Sequence, residues 1–195
     1  MKRAVFLDRD DTLMVNVPYL GDPNLVQIFP DAAEALFALR KADFLLFVVS
    51  NQSGVGRGLI TREQVFAVNT ELQRQLKGDQ IHAFYHSFAT PDDPWATDRK
   101  PSPELLEEAA KTHGVDLAGS FLVGDRLSDV ECGINAGCRT VLLTHDRSSR
   151  RTSVDPDDAV ARTKAHYITS TLTDAANWII SVSSDFPVPK THELL

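Results

Sequence analysis

The sequence predicts an α/β fold: a Rossmann-like parallel sheet with helices on both faces. Three observations carry that prediction. Short apolar runs suited to buried strands recur at 4–7, 44–49 and 121–123, with helix caps and stops between them. Each run breaks off into polar residues: Asp8-Arg9-Asp10-Asp11, then Ser50-Asn51-Gln52, then Gly124-Asp125-Arg126. Right-handed crossovers would bring those ends to one rim, where open parallel sheets bind ligands.

The elements follow in order. Ala4 to Leu7 reads as the first strand, and it must open onto water at Asp8, because carboxylates do not belong in an apolar interior. Residues 14–30, with Pro18, Gly21, Pro23 and Asn24, read as a loop or hairpin lying over that opening as a short flap. Asp31 reads as the cap of the next helix, with Glu34 three residues on. Residues 44–49 form a second buried strand. Thr61 and Gln64 make a capping box for a helix running to about Lys77. A weaker strand is expected at 81–86, then a loop with Pro91, Asp92, Asp93, Pro94 and Trp95. Arg99-Lys100-Pro101 leads into a helix that Gly114 stops. After the 121–123 strand come a helix to Gly137 and a strand at 140–143. Residues 145–164, including Arg147, Arg150 and Arg151, are polar and read as a loop. A last strand at 166–168 and a closing helix at 173–180 complete one domain, 1–182, and 183–195 reads as a poorly ordered tail.

Composition narrows the class. The 195 residues are 43% hydrophobic and 24% charged, as in ordinary globular proteins. A net charge of −7 argues against a nucleic-acid partner. No apolar stretch is long enough to cross a membrane, and the acidic turn at Asp8 cuts the first run short of a signal peptide. Cys132 and Cys138 fit no zinc or redox spacing and read as buried thiols of a reducing, cytoplasmic environment.

The chemistry can be approached by elimination. The chain has no Gly-x-x-x-x-Gly-Lys-Ser/Thr loop, no Gly-x-Gly-x-x-Gly after a strand and no Gly-x-Ser-x-Gly elbow. What remains at the rim is a set of hard oxygen donors suited to Mg²⁺, since Asp8 and Asp10 repel each other and a divalent cation relieves that. Beside such an ion a carboxylate can act as a nucleophile towards phosphorus. A hydroxyl and a lysine can hold the oxygens of a transferring phosphoryl group.

Four pieces occur in order: Asp8-x-Asp10-x-Thr12, Ser50 at a strand end, Lys100 before a helix, and Gly124-Asp125-x-x-x-Asp129. Together they resemble the haloacid dehalogenase-like (HAD) hydrolases. Asp-Arg-Asp-x-Thr-Leu, Ser-Asn-Gln-Ser-Gly-Val-Gly-Arg-Gly and Arg-Lys-Pro further resemble the subfamily of D-glycero-D-manno-heptose 1,7-bisphosphate phosphatases and histidinol-phosphate phosphatases, over roughly Val5 to Leu143. The resemblance implies a phosphatase working through an aspartyl-phosphate. Asp8 would attack phosphorus, and Asp10 would protonate the leaving oxygen and later take a proton from water. Asp8, the Asp10 carbonyl and Asp125 would bind Mg²⁺. Ser50 and Lys100 would hold the phosphoryl oxygens. Asn51, Gln52, Ser53, Arg99 and Arg126 would touch the substrate, with Asn16 and Tyr19 on the flap, and Asp129 would steady Lys100 or the metal's waters from behind.

Two departures stand out. The subfamily has Gly where this chain has Asp11. Its Cys-x-His…Cys-x-Cys zinc loop aligns here with Phe84, His86, Ala96 and Asp98, and one surviving ligand cannot hold structural zinc. No zinc is expected, and the loop 87–98 is expected to be ordered by Pro91, Pro94 and Trp95 instead. No large insertion follows Leu13 or precedes Lys100, so the fold is expected to be capless, with only the flap. The implied substrate is a small phosphorylated metabolite, a sugar phosphate or bisphosphate foremost. Histidinol phosphate, a 3′-phosphorylated polynucleotide and a non-catalytic binding role are the alternatives.

Overall fold

Six strands form one wholly parallel sheet in a computed structural model that describes residues 1–78, 80–144 and 156–183. They are β1 (Arg3–Leu7), β2 (Phe44–Asn51), β3 (Ala83–Ser87), β4 (Phe121–Gly124), β5 (Arg139–Leu143) and β6 (Tyr167–Thr169). Their order is β3-β2-β1-β4-β5-β6. The chain builds outward from β1 to β3, then returns to β1's other side with β4. The winding therefore reverses between β1 and β4, where such sheets leave a crevice.

Alternate side chains of the strands point to opposite faces, so each strand feeds two cores. Val5, Leu7, Leu46, Val48 and Val123 pack under α1 (Ala32–Lys41), α3 (Arg62–Gln75) and α7 (Leu172–Ser183). Ala4, Phe6, Phe47, Val49 and Leu122 face α4 (Glu104–His113) and α5 (Leu127–Asn135). On that second side α6 (Pro156–Lys164) joins α5 through Val130 and Ala161 around Leu142. A short helix, α2 (Ser53–Gly56), follows β2 directly. Both faces of the sheet are covered, and its strands are accordingly near-continuous in apolar residues. Among the described residues no helix is long and apolar enough to cross a membrane.

Several local expectations hold. Thr61 Oγ1 accepts from Gln64 N while Gln64 Oε1 accepts from Thr61 N, closing the capping box. Gly114 ends α4 with φ +68°, the left-handed conformation that glycine adopts without strain. Residues 14–30 are irregular apart from a 3₁₀ turn, Pro23–Leu25, and isolated bridges at Met14.

Others need correction. Asp31 precedes α1 but makes no side-chain cap there. Its Oδ2 accepts instead from Leu172 N at 2.7 Å and Thr173 N at 3.3 Å, so it caps α7, 141 residues away. Residues 156–164, expected in a loop, form α6, whose Ala161 is buried on a mostly polar helix. The third strand is Ala83–Ser87 rather than 81–86. Trp95 does not order its loop: it is 86% exposed. That work is done by polar contacts, with Ser87 Oγ donating to Asp98 Oδ1 at 2.7 Å and Arg99 Nη1 to the Ala89 carbonyl at 3.1 Å. Arg147, Arg150, Arg151 and the expected tail beyond Ser183 lie outside the described residues.

Candidate active site

The rim begins where β1 runs out. Asp8 N still donates to the Val123 carbonyl at 2.9 Å, so β1 and β4 stay paired up to the point where both turn acidic. Asp8 and Asp125 thus emerge side by side. Asp129, in the first turn of α5, comes in beneath them, its Oδ2 accepting from Arg126 N at 3.0 Å. Gly124 permits that approach: a Cβ there would lie 2.4 Å from Asp129 Cγ. One carboxylate oxygen from each of Asp8, Asp125 and Asp129 can be chosen so that all lie within 4.8 Å of one another, and all three residues are buried.

One ammonium answers two of them, and the Arg126 Nε lies 3.9 Å from Asp125 Oδ2. Lys100 Nζ lies 2.6 Å from Asp8 Oδ1, 2.6 Å from Asp129 Oδ1 and 2.8 Å from the Val49 carbonyl. Asn51 fixes the lysine from the backbone, accepting from Lys100 N at 3.1 Å and donating to its carbonyl at 3.2 Å. The charges do not balance. Burial pushes the Asp8 pKa up to about 6; Lys100 opposes that, while Asp129 and Asp10 add to it. Asp125 rises well above the ordinary carboxylate range, through burial first and then through Asp129 and Asp8. Burial works against the Lys100 ammonium, yet Asp129 and Asp8 hold its pKa above the usual lysine value.

The other half of the rim, towards β2 and β3, is built differently. Asp10 accepts from Arg9 Nε at 3.2 Å and from Arg9 Nη2 at 3.1 and 3.3 Å, a two-point grip. Gln52 Nε2 donates to both Asp10 Oδ2 at 2.9 Å and Ser50 Oγ at 2.7 Å, tying the second aspartate to the serine. Behind Arg9, its Nη1 donates to Asn69 Oδ1 at 3.1 Å, and Asn69 Nδ2 meets His86 Nε2 at 2.9 Å.

These groups surround a cleft of about 370 Å³. Asp8, Asp10, Ser50, Lys100 and Asp129 form its floor, with Asn51, Gln52, Ser53, Asn16, Tyr19, Arg99 and Arg126 also lining it. Every residue expected at the site therefore reaches this cleft or, for Asp125, its acidic floor. Asn51 turns both amide ends to the Lys100 backbone while still lining the cleft. At the mouth, Arg99 has its pKa lowered by burial and by the neighbouring Arg126 and Arg57 charges. A cationic mouth thus stands over an anionic floor.

Sequence reasoning missed Arg9, Asn69 and His86. Two signals were present: an arginine between two site aspartates, and an asparagine at a buried helix position among Val65, Val68 and Leu72. A buried polar side chain needs a partner, and the partner lies on another element.

The residues present fit a divalent cation. Three buried carboxylates converge on Lys100 and Arg126, and burial with mutual repulsion raises the pKa of two of them, Asp8 and Asp125. Asp129 already spends Oδ1 on Lys100 and Oδ2 on Arg126 N, so Asp8 and Asp125 are the carboxylates that would hold the ion.

Comparison with known proteins places the fold in a class. A family model described as HAD-hydrolase-like matches residues 97–175. The D-glycero-D-manno-heptose-1,7-bisphosphate 7-phosphatase of Chlorobaculum tepidum is 34% identical over 155 residues, 72% of this chain and 78% of that protein. The enzyme of the same name from Thermosynechococcus vestitus is 32% identical over 188 residues, 90% and 94% of the two chains. Among solved structures, the B. bronchiseptica D,D-heptose 1,7-bisphosphate phosphatase, complexed with magnesium and phosphate, superposes with a TM-score of 0.77 at 24% identity, covering 92% of this chain and 99% of that one. A HAD-like phosphatase from Mesorhizobium loti gives 0.72 at 28% identity, covering 93% and 87%. The chain belongs to the HAD-like hydrolases. Within them it is a phosphatase, a hydrolase of phosphoric monoesters.

Proposed function

We propose that this phosphatase removes a phosphate from a phosphorylated sugar, with heptose 1,7-bisphosphate as the foremost candidate, through an aspartyl-phosphate on Asp8 and with Mg²⁺ as cofactor. The observation that carries the reading is the Asp8 carboxylate held at the cleft floor, 2.6 Å from Lys100 and within reach of Asp125. The names of the relatives support the sugar, and the arginines at the mouth suit a second anionic group.

Each residue has a task in two steps. In the first, an Asp8 oxygen forms a bond to phosphorus as the bond to the sugar oxygen breaks, and Asp10 delivers a proton to that oxygen. In the second, Asp10 takes a proton from a water that attacks the same phosphorus, freeing Asp8 and releasing phosphate. Lys100 and Ser50 would hold the phosphoryl oxygens where charge spreads during transfer. Asp8, Asp125 and the Asp10 carbonyl would hold Mg²⁺, which when bound neutralises carboxylate and phosphoryl charge. Tyr19 and Asn16 on the flap, with Ser53, Arg99 and Arg126, would set which alcohol is accepted. The buried free thiols Cys132 and Cys138 fit a cytoplasmic setting.

The test is a panel of sugar bisphosphates, histidinol phosphate and 3′-phosphorylated oligonucleotides, with and without Mg²⁺. The reading expects the highest kcat/KM on a sugar bisphosphate, lost on chelation. Highest activity on an oligonucleotide would overturn the substrate class.

A further inference from the structure

Arg9 is the largest fully buried side chain among the described residues, 1% exposed. A buried guanidinium is tolerated only when its donors are met. One edge grips Asp10, and Nη1 donates to Asn69 Oδ1 at 3.1 Å. Arginine can only donate, so it fixes which end of the Asn69 amide faces it. The Nδ2 end is then turned to His86 Nε2 at 2.9 Å, and that ring nitrogen must accept. His86 is therefore a neutral imidazole with its proton on Nδ1. Burial, reinforced by the Arg9 charge, pushes its pKa down to about 4, which keeps it so at neutral pH. The ring cannot turn away. It stacks between Phe84 and Phe88, at 6.2 and 5.7 Å, with Phe66 set edge-on at 6.1 Å.

We propose that Arg9, Asn69 and His86 are positioning residues: a hydrogen-bonded line from edge strand β3 through α3 that holds the Asp10 carboxylate where it can serve the leaving oxygen. The inference rests on reading Asp10 as acid and base. Three elements of the fold meet in this line, and because Arg9 can only donate, its direction is set from Arg9 outward. Breaking it at His86 leaves Asn69 free to turn and removes one of the anchors of Arg9. Asp10 then keeps only Gln52 and a loosened arginine. Proton delivery to the leaving oxygen and proton uptake from the attacking water both suffer, whereas attack by Asp8, held separately by Lys100, does not.

Leaving groups separate the two. A sugar alkoxide needs a proton as its bond to phosphorus breaks; para-nitrophenolate leaves without one. We expect His86→Phe, which keeps the aromatic stack but cannot accept, to lower kcat/KM about 10- to 100-fold on a sugar phosphate and less than about 3-fold on para-nitrophenyl phosphate, because kcat/KM covers the steps through leaving-group departure and not the later water attack that Asp10 also serves on both esters. Asn69→Leu cuts the same line one link closer and should show the same split. His86→Gln, whose amide oxygen can accept from Asn69, should recover most of the sugar-phosphate rate. Equal losses of kcat/KM on both esters, no loss on either, or Phe and Gln variants that behave alike would overturn the proposal. Asp10→Asn separates the two levels of failure. A leaving-group split in Asp10→Asn that is absent from His86→Phe and Asn69→Leu sinks the positioning line alone. No split of kcat/KM in Asp10→Asn sinks the acid–base reading on which it rests.

Discussion

Under β1 and β4 three buried carboxylates converge, with Lys100 between Asp8 and Asp129 and the Arg126 guanidinium 3.9 Å from Asp125. Across the cleft, between β1, α3 and β3, a carboxylate, a guanidinium, an amide and an imidazole satisfy one another in sequence. Both halves are polar and largely shielded from water, yet only the first carries groups whose pKa values rise through burial and mutual repulsion. The difference teaches which half is completed from outside. Unbalanced charge invites a cation and a phosphoryl group; a closed hydrogen-bond line offers rigidity and little binding energy.

The largest effect should come from Asp8→Asn. Hydrolysis is expected to fall by about 10⁴-fold or more, because no other group in the cleft replaces the nucleophile. The melting temperature without metal should hold or rise, since a buried, underpaired carboxylate has gone. A variant that stayed active would erase the distinction between the halves. Lys100→Met comes next. It leaves Asp8 and Asp129 facing each other without their shared cation, an expected cost of about 3–5 kcal/mol in urea unfolding.

The self-contained half is broken by acid. The folded pKa of His86, about 4, lies below its unfolded value of 6.5, so the unfolded chain takes up the proton first. Its contribution is complete above pH 6.5 and is lost as pH falls towards 4, at most about 3 kcal/mol. Asp8 runs the opposite way over nearly the same window, because its folded value near 6 lies above the ordinary 3.8. The two would mask each other in wild-type unfolding alone. The stability difference between wild type and His86→Phe isolates the imidazole and should shrink as pH drops from 7 to 4.

The open half is sharpened by metal. Mg²⁺ at about 100 times its dissociation constant should add about 2.7 kcal/mol to stability. The gain should be larger at pH 8 than at pH 5, where protons on Asp8 and Asp125 compete with the ion. The smallest effect is expected at Asp11, which holds φ +57° while its Oδ1 accepts from Asn16 N at 3.2 Å. Asp11→Gly removes backbone strain and a hydrogen bond together, so stability should move by no more than about 1 kcal/mol.

The two halves also differ in how far they could be read in advance. Asp8, Ser50, Lys100 and Asp125 stand at the ends of apolar runs or before a helix, in an order that strand–helix alternation carries to one rim. The Arg9–Asn69–His86 line joins residues 60 and 17 positions apart, with no local pattern linking them. Only packing α3 against β3 makes the pairing visible. Asp31 shows the same limit, since its chemistry announces a cap but not which helix it caps. In α6 a polar periodicity hid a helix held by little more than Ala161 against Val130 and Leu142.

The claim on which the account turns is a covalent bond between Asp8 and phosphorus. Mixing the enzyme with a substrate labelled in its phosphate, quenching in acid within one turnover, reducing with borohydride and sequencing the peptides by mass spectrometry tests it directly. If Asp8 is the nucleophile, the reduction mark falls at position 8 alone. Turnover with no mark, or a mark on another residue, would contradict it.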